Sequence, residues 1–178
     1  MVATKFSEEE IVDYSALIAT FIRGQRDAYM EQATLLPDSQ IEKFSSFFNP
    51  GLLKNTFFFV KKDGPIEDPV FLKELNDRGI YFSLDHLRAI TFIDVVVSYE
   101  ELKPQVQFHE LVHVVQYQKL GLKQFAHKYL RGFLTIGAYE SIPLEKNAYA
   151  LDRAYFQNPE KPFSVEQEVQ NWINGNKF

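Results

Sequence analysis

Residues 104–121 constrain this chain more than any other stretch. Pro104 stands where a helix can begin and Gly121 where one can end, and between them runs Phe108-His109-Glu110-Leu111-Val112-His113-Val114-Val115. At 100° per residue, His109, His113 and Glu110 fall at about 0°, 40° and 100° around the helix, on one face. Phe108, Leu111, Val112 and Val115 take the other. Such a helix is expected to be buried on both sides, and burying two imidazoles and a carboxylate without partners is costly. A metal ion removes that cost. Imidazoles at i and i+4 can chelate one zinc, and the glutamate beside them is placed to accept a proton from a water on the metal. The alternative is a pair of core histidines satisfied by backbone groups or carboxylates.

The remaining chain must bury this helix and supply any further ligand. Its 178 residues suit one domain spanning 1–178, and a 46% hydrophobic content with 17 Phe and 9 Tyr suffices for an aromatic core. Cysteine is absent, so a metal would be held by His, Asp or Glu alone. A net charge of −5, with Lys61-Lys62 followed at once by Asp63, argues against nucleic acid as a partner. Residues 1–10 lack the apolar segment of a signal peptide, and no run of about 18 apolar residues follows. The expectation is a protein outside the membrane, cytoplasmic by default, with export that needs no signal peptide left open.

Ser7-Glu8-Glu9-Glu10 has capping-box spacing, and Ile11, Tyr14, Leu17, Ile18, Phe21 and Ile22 continue at helical period, predicting a helix to about Ala33. A shorter helix, capped by Asp38 or Ser39, carries Ile41, Phe44, Phe47 and Phe48 inward and stops at Asn49-Pro50-Gly51. These helices, within residues 7–48, read as scaffold. A strand is expected at residues 56–60, a surface loop with one helical turn near Phe71 at 65–79, and a single β-branched strand at 90–98 with Asp94 inside it. That strand could be a sheet edge offering its backbone to an extended peptide, or a covered central strand. Leu122, Phe125, Ala126, Tyr129, Leu130, Phe133 and Leu134 mark an amphipathic helix ended by Gly137. Pro143 opens another, reaching Asn158, and Ser164 caps a last one through Val165, Val169, Trp172 and Ile173, closed by Gly175. The architecture expected is α+β, mostly helical with a small sheet, with the chemistry at about 88–157.

His109-Glu110-Leu111-Val112-His113 with Glu145 on a later helix resembles the zincin metallopeptidases, in particular the gluzincins, whose third zinc ligand is a glutamate. The string His-Glu-Leu-Val-His-Val-Val-Gln-Tyr is also similar to bacterial single-domain zincin-like proteins of poorly defined substrate. The resemblance is specific over 109–117 and loose over 140–152. It implies a zincin-like fold, His109 and His113 as ligands of one Zn²⁺ per chain, and Glu110 as general base. For the third ligand Glu145 and Glu140 compete, and Glu145 is favoured because it lies in the first turn of a helix rather than in a loop. Gluzincins often carry an aspartate four residues after this glutamate; here Tyr149 holds that place and the nearest acid is Asp152. No histidine follows at a nearby glycine turn, as the metzincins require.

The function expected is hydrolysis of peptide bonds in a peptide or protein substrate. His127, Tyr139 and Tyr149 are candidates to stabilise an oxyanion, while His86 beside Asp85 reads as ordinary surface. The competing expectations are a zinc-binding interaction module without turnover, supported if the N-terminal helix lies in the cleft, and a mononuclear iron site.

Overall fold

The computed structural model describes residues 6–136 and 139–178, which form eight α-helices and a four-stranded sheet. The α+β expectation holds, with helices dominating and one sheet. Ser7 caps α1 (Glu8–Met30) with the reciprocal Ser7 and Glu10 bonds of a capping box. The helix stops three residues before Ala33, and Thr34–Leu35 forms a short strand β1. In α2 (Asp38–Phe44) the cap position is Pro37 rather than Asp38 or Ser39. Asn49-Pro50-Gly51, expected only to stop a helix, starts one: the Asn49 side chain accepts from the Gly51 N–H, and Pro50 opens α3 (Pro50–Leu53). The stretch expected to be a loop with one helical turn carries α4 (Val70–Asp77), whose Leu72 and Leu75 are buried.

The expected strand at 56–60 is β2 (Phe57–Val60). The single strand expected at 90–98 is instead a hairpin, β3 (Ala89–Phe92) and β4 (Val95–Ser98), paired antiparallel with Phe92 opposite Val95. The reversal lies at Ile93-Asp94, with Ile93 at φ 63°, a conformation unfavourable for a β-branched residue. Arg26 of α1 grips the Asp94 carboxylate through Nε at 2.8 Å and Nη2 at 2.9 Å. The Asp94 carbonyl also accepts from Phe57 N–H at 2.8 Å. Strand propensity is uniform through this stretch and cannot register a turn imposed by a cation on a distant helix.

The sheet order is β1-β2-β4-β3, with β2 and β4 parallel. It lies between two apolar clusters: Val95 and Val97 belong to one with α1 and α6, and Val96 to the other with α5 and α8. The first cluster includes Ile22, Leu72, Leu130 and Phe133, and the second stacks Phe108 against Tyr155 with Phe44, Phe47 and Phe48 around them. Helix α5 (Pro104–Leu120) passes between them and ends at Gly121, whose φ of 75° suits glycine there. It is followed by α6 (Leu122–Ile136), α7 (Pro143–Gln157) and α8 (Val165–Asn174), close to the expected spans. The expected stop at Gly137 lies outside the described residues. Among the described residues, no helix is long and apolar enough to cross a membrane.

Gly132 explains how α7 comes so close to α6. A Cβ there would stand 2.7 Å from Pro143 Cδ and 3.2 Å from Ile142 Cγ2, so the start of α7 fits only against a residue without a side chain. Gly132→Ala gains up to about 1 kcal/mol of helix propensity but forces this junction apart, at about 1–3 kcal/mol for overpacking. The expected outcome is a net loss of stability in urea denaturation, with weaker metal uptake because Glu145 rides on the displaced turn.

Candidate metal centre

Helix α5 is enclosed almost all round, with twelve of its seventeen residues buried, including His109, Glu110 and His113. Each polar side chain on it therefore needs a partner from another element. Helix α7 brings Glu145, 2% exposed, against both histidines: its Oε2 lies 3.2 Å from His109 Nε2 and 3.4 Å from His113 Nε2. The two Nε2 atoms are 3.2 Å apart. His109, His113 and Glu145 form a buried group that could hold a metal ion. Glu140, the competing third ligand, sits exposed in the turn Tyr139–Ser141, away from this group.

The remaining imidazole nitrogens settle the tautomers. His109 Nδ1 is 2.8 Å from Asp152 Oδ2, and an ionised carboxylate only accepts, so Nδ1 carries the hydrogen. Gln105 Nε2 donates to the other oxygen of Asp152 at 3.2 Å. His113 Nδ1 is 2.9 Å from Gln116 Oε1, whose amide orientation is fixed because Gln116 Nε2 donates to the Leu144 carbonyl and to Asn147 Oδ1, both at 2.9 Å. In their neutral forms both histidines then turn an Nε2 lone pair toward Glu145 Oε2, the arrangement that metal-binding histidines require. Tyr129 of α6 donates to Glu145 Oε1 at 2.9 Å, which leaves Oε2 to face the imidazoles. Among the described residues, Asn147 Nδ2 is buried without a partner, the cost of aiming Oδ1 at Gln116.

With only protons available, the group resolves itself as an ion cluster. Burial works against charge on His109, but hydrogen bonds with Asp152 and Glu145 outweigh it and hold its pKa up to about 10. Burial opposes the charge on His113 as well, and the negative charge of Glu145 raises it. Burial would raise the Glu145 carboxyl, yet the His113 charge and hydrogen bonds from both imidazoles hold it well below the usual carboxylate range. The two imidazoles and the Glu145 carboxylate thus favour one another's charged forms, and the same three groups could hold a metal ion.

Glu110 points elsewhere. Thr91 Oγ1 of β3 donates to its Oε2 at 2.6 Å, so the carboxylate is held beside the cluster by the sheet rather than by either imidazole. Glu110, His113 and Glu145 line one end of a cavity of about 130 Å³ whose other walls are nearly all apolar. Of the oxyanion candidates, Tyr139 lines this cavity, and the half-buried Tyr149 sets its ring 4.5 Å from that of His109, with burial pushing its hydroxyl up to about 12. His127 is not at the centre; its Nδ1 faces Ser15 Oγ of α1 at 3.4 Å. His86 is exposed beside Asp85.

Sequence reasoning gives Gln116, Thr91 and Tyr129 no role at the centre and names Asp152 only as the nearest acid after Glu145. A signal for Asp152 existed: seven residues after Glu145 returns to within about 20° of the same helix face. For Thr91 and Tyr129 none did, since their reach depends on tertiary packing. Compared with family models, curated proteins and solved structures, the chain matches none.

The expected metal content is one divalent ion per chain, read by elemental mass spectrometry after dialysis. His113→Ala and Glu145→Ala abolish it, and Glu140→Gln leaves it unchanged. Asp152→Asn weakens affinity about 10–100-fold in chelator competition, as losses of such orienting groups do elsewhere.

Proposed function

We propose that the protein is a zinc-dependent hydrolase of peptide-type amide bonds, with a zincin-like centre in which His109, His113 and Glu145 hold the metal and Glu110 is the general base. One observation carries this reading. The three facing ligand atoms form a triangle with sides of 3.2, 3.2 and 3.4 Å. Zinc bonds of about 2.0–2.1 Å in tetrahedral geometry set ligand atoms about 3.3 Å apart. A set of two imidazoles and one carboxylate, without cysteine, is one that catalytic zinc uses.

Zinc held by three protein ligands supplies Lewis acidity and brings the pKa of a water in its open position toward neutrality. The chain's own residues do the rest. Glu110, with Oε2 held by Thr91, would use its other oxygen to take a proton from the attacking water and return it to the departing nitrogen. Asp152 and Gln116 fix the imidazoles, and Tyr129 fixes the rotation of Glu145. Of the candidate hydroxyls, that of Tyr139 belongs to a residue lining the cavity with Glu110, His113 and Glu145, and is the one we assign to the oxyanion.

A binding module without turnover is the second reading, and one observation favours it: Ile18, Phe21 and Ile22 of the N-terminal helix wall the cavity that ends at the centre. Glu110→Gln separates the two. It should retain one zinc per chain while hydrolysis of a peptide library falls about 10²–10⁴-fold, the usual share of general base catalysis. Wild-type protein that holds zinc and hydrolyses nothing supports the binding module; iron in place of zinc overturns both.

A further inference from the structure

The cavity beside the metal centre is apolar. Its lining follows α6 from Phe125 to Phe133, eight residues or about 12 Å of helix, and the walls opposite come from α1 and α4. Apart from tyrosine hydroxyls, the polar lining residues are Thr91, Glu110, His113 and Glu145, all at or beside the centre. The volume of about 130 Å³ is close to that of apolar protein cavities, roughly 150 Å³, that take up benzene. Two features oppose a polypeptide running through the site. Helices α1 and α4 wall the cavity with Ile18, Phe21, Ile22, Phe71, Leu72 and Leu75, apolar side chains that offer a polypeptide backbone no hydrogen-bonding partner. The edge strand β3 has its Thr91 carbonyl engaged by Tyr117 Oη at 3.2 Å, so a substrate strand pairing along it would have to share that acceptor with a buried side chain.

We propose that the substrate is a small amide carrying an uncharged acyl chain of about six to eight carbons, the chain filling this cavity and the carbonyl lying at the metal centre. This rests on the hydrolase reading and names its substrate class. Water adds to the acyl carbon, a C–O bond forms as the C–N bond breaks, and the proton taken by Glu110 leaves on the nitrogen. The products are the fatty acid and the free amine, with no change of oxidation state.

The test uses the full chain with and without one equivalent of zinc, titrated calorimetrically with acetohydroxamate and octanohydroxamate, which share a metal-binding head. Burying six further carbons should make octanohydroxamate bind the zinc form at least a hundredfold more tightly. Ile18→Trp and Leu75→Phe, which fill the cavity from α1 and α4, should cut that gain to less than tenfold while zinc content stays at one per chain. Equal affinities for the two hydroxamates overturn the proposal and leave the metal reading standing. A blocked phenylalanyl peptide hydroxamate that outbinds octanohydroxamate also overturns it, in favour of polypeptide. If zinc improves neither hydroxamate, the metal reading fails, and 1-octanol on the zinc-free chain decides the rest: saturable binding lost in Ile18→Trp upholds the acyl cavity, and none overturns it.

Discussion

The structure depends on keeping two imidazoles and a carboxylate together inside a helical core. Removing such groups from water costs several kcal/mol for each charge, and the fold recovers this only through complete pairing. Every nitrogen of His109 and His113 and both oxygens of Glu145 have a partner: Asp152, Gln116, Tyr129 and one another. Those partners come from α5, α6 and α7, so the packing of these three helices is fixed by the same contacts that build the centre. Gly132, which admits the start of α7, serves this arrangement as directly as the ligands do.

The sheet contributes in a different way. Its role at the centre is confined to Thr91, which holds Glu110, and to the Thr91 carbonyl, which anchors Tyr117 of α5. The hairpin that presents Thr91 is tied at its turn to Arg26 on α1. Helix α1 thus sets the position of β3 as well as walling the cavity, which is more than a scaffold role. Because the pair is only partly exposed and the guanidinium meets both carboxylate oxygens, it holds the turn with a directional bond rather than diffuse attraction.

Much of the helical layout was legible in the sequence because capping residues and 3.6-residue periodicity are local signals. The ends of α5 follow from Pro104 and Gly121, and α7 from Pro143. Where sequence reasoning failed, the cause was non-local. Residues 90–98 fold back on themselves because Asp94 has a partner 68 residues away, and α4 became a helix where prolines and acids suggested a loop because Leu72 and Leu75 had a core to enter. At the centre, His109, Glu110 and His113 were readable from spacing on one helix. The preference for Glu145 over Glu140 rested on its place in a helical turn, and Asp152 was noted only as a departure from a pattern. Its carboxylate reaches His109 Nδ1 from two turns further along α7 than Glu145.

The seven-residue spacing of Glu145 and Asp152, both of which contact His109, has a physical consequence for the helix pair. An acid at i+4 would lie one turn, about 6 Å, from Glu145, whereas Asp152 lies about 10.5 Å along α7. For Glu145 to face the Nε2 side of His109 while Asp152 faces its Nδ1 side, the imidazole must lie along α7 and bridge two turns of it. Tyr149 occupies the turn between, its ring tilted against the imidazole at 4.5 Å. The tyrosine thus covers the imidazole face that this geometry turns toward it. The spacing, the ring contact and the acid two turns on form one consistent solution for holding His109 in a single tautomer.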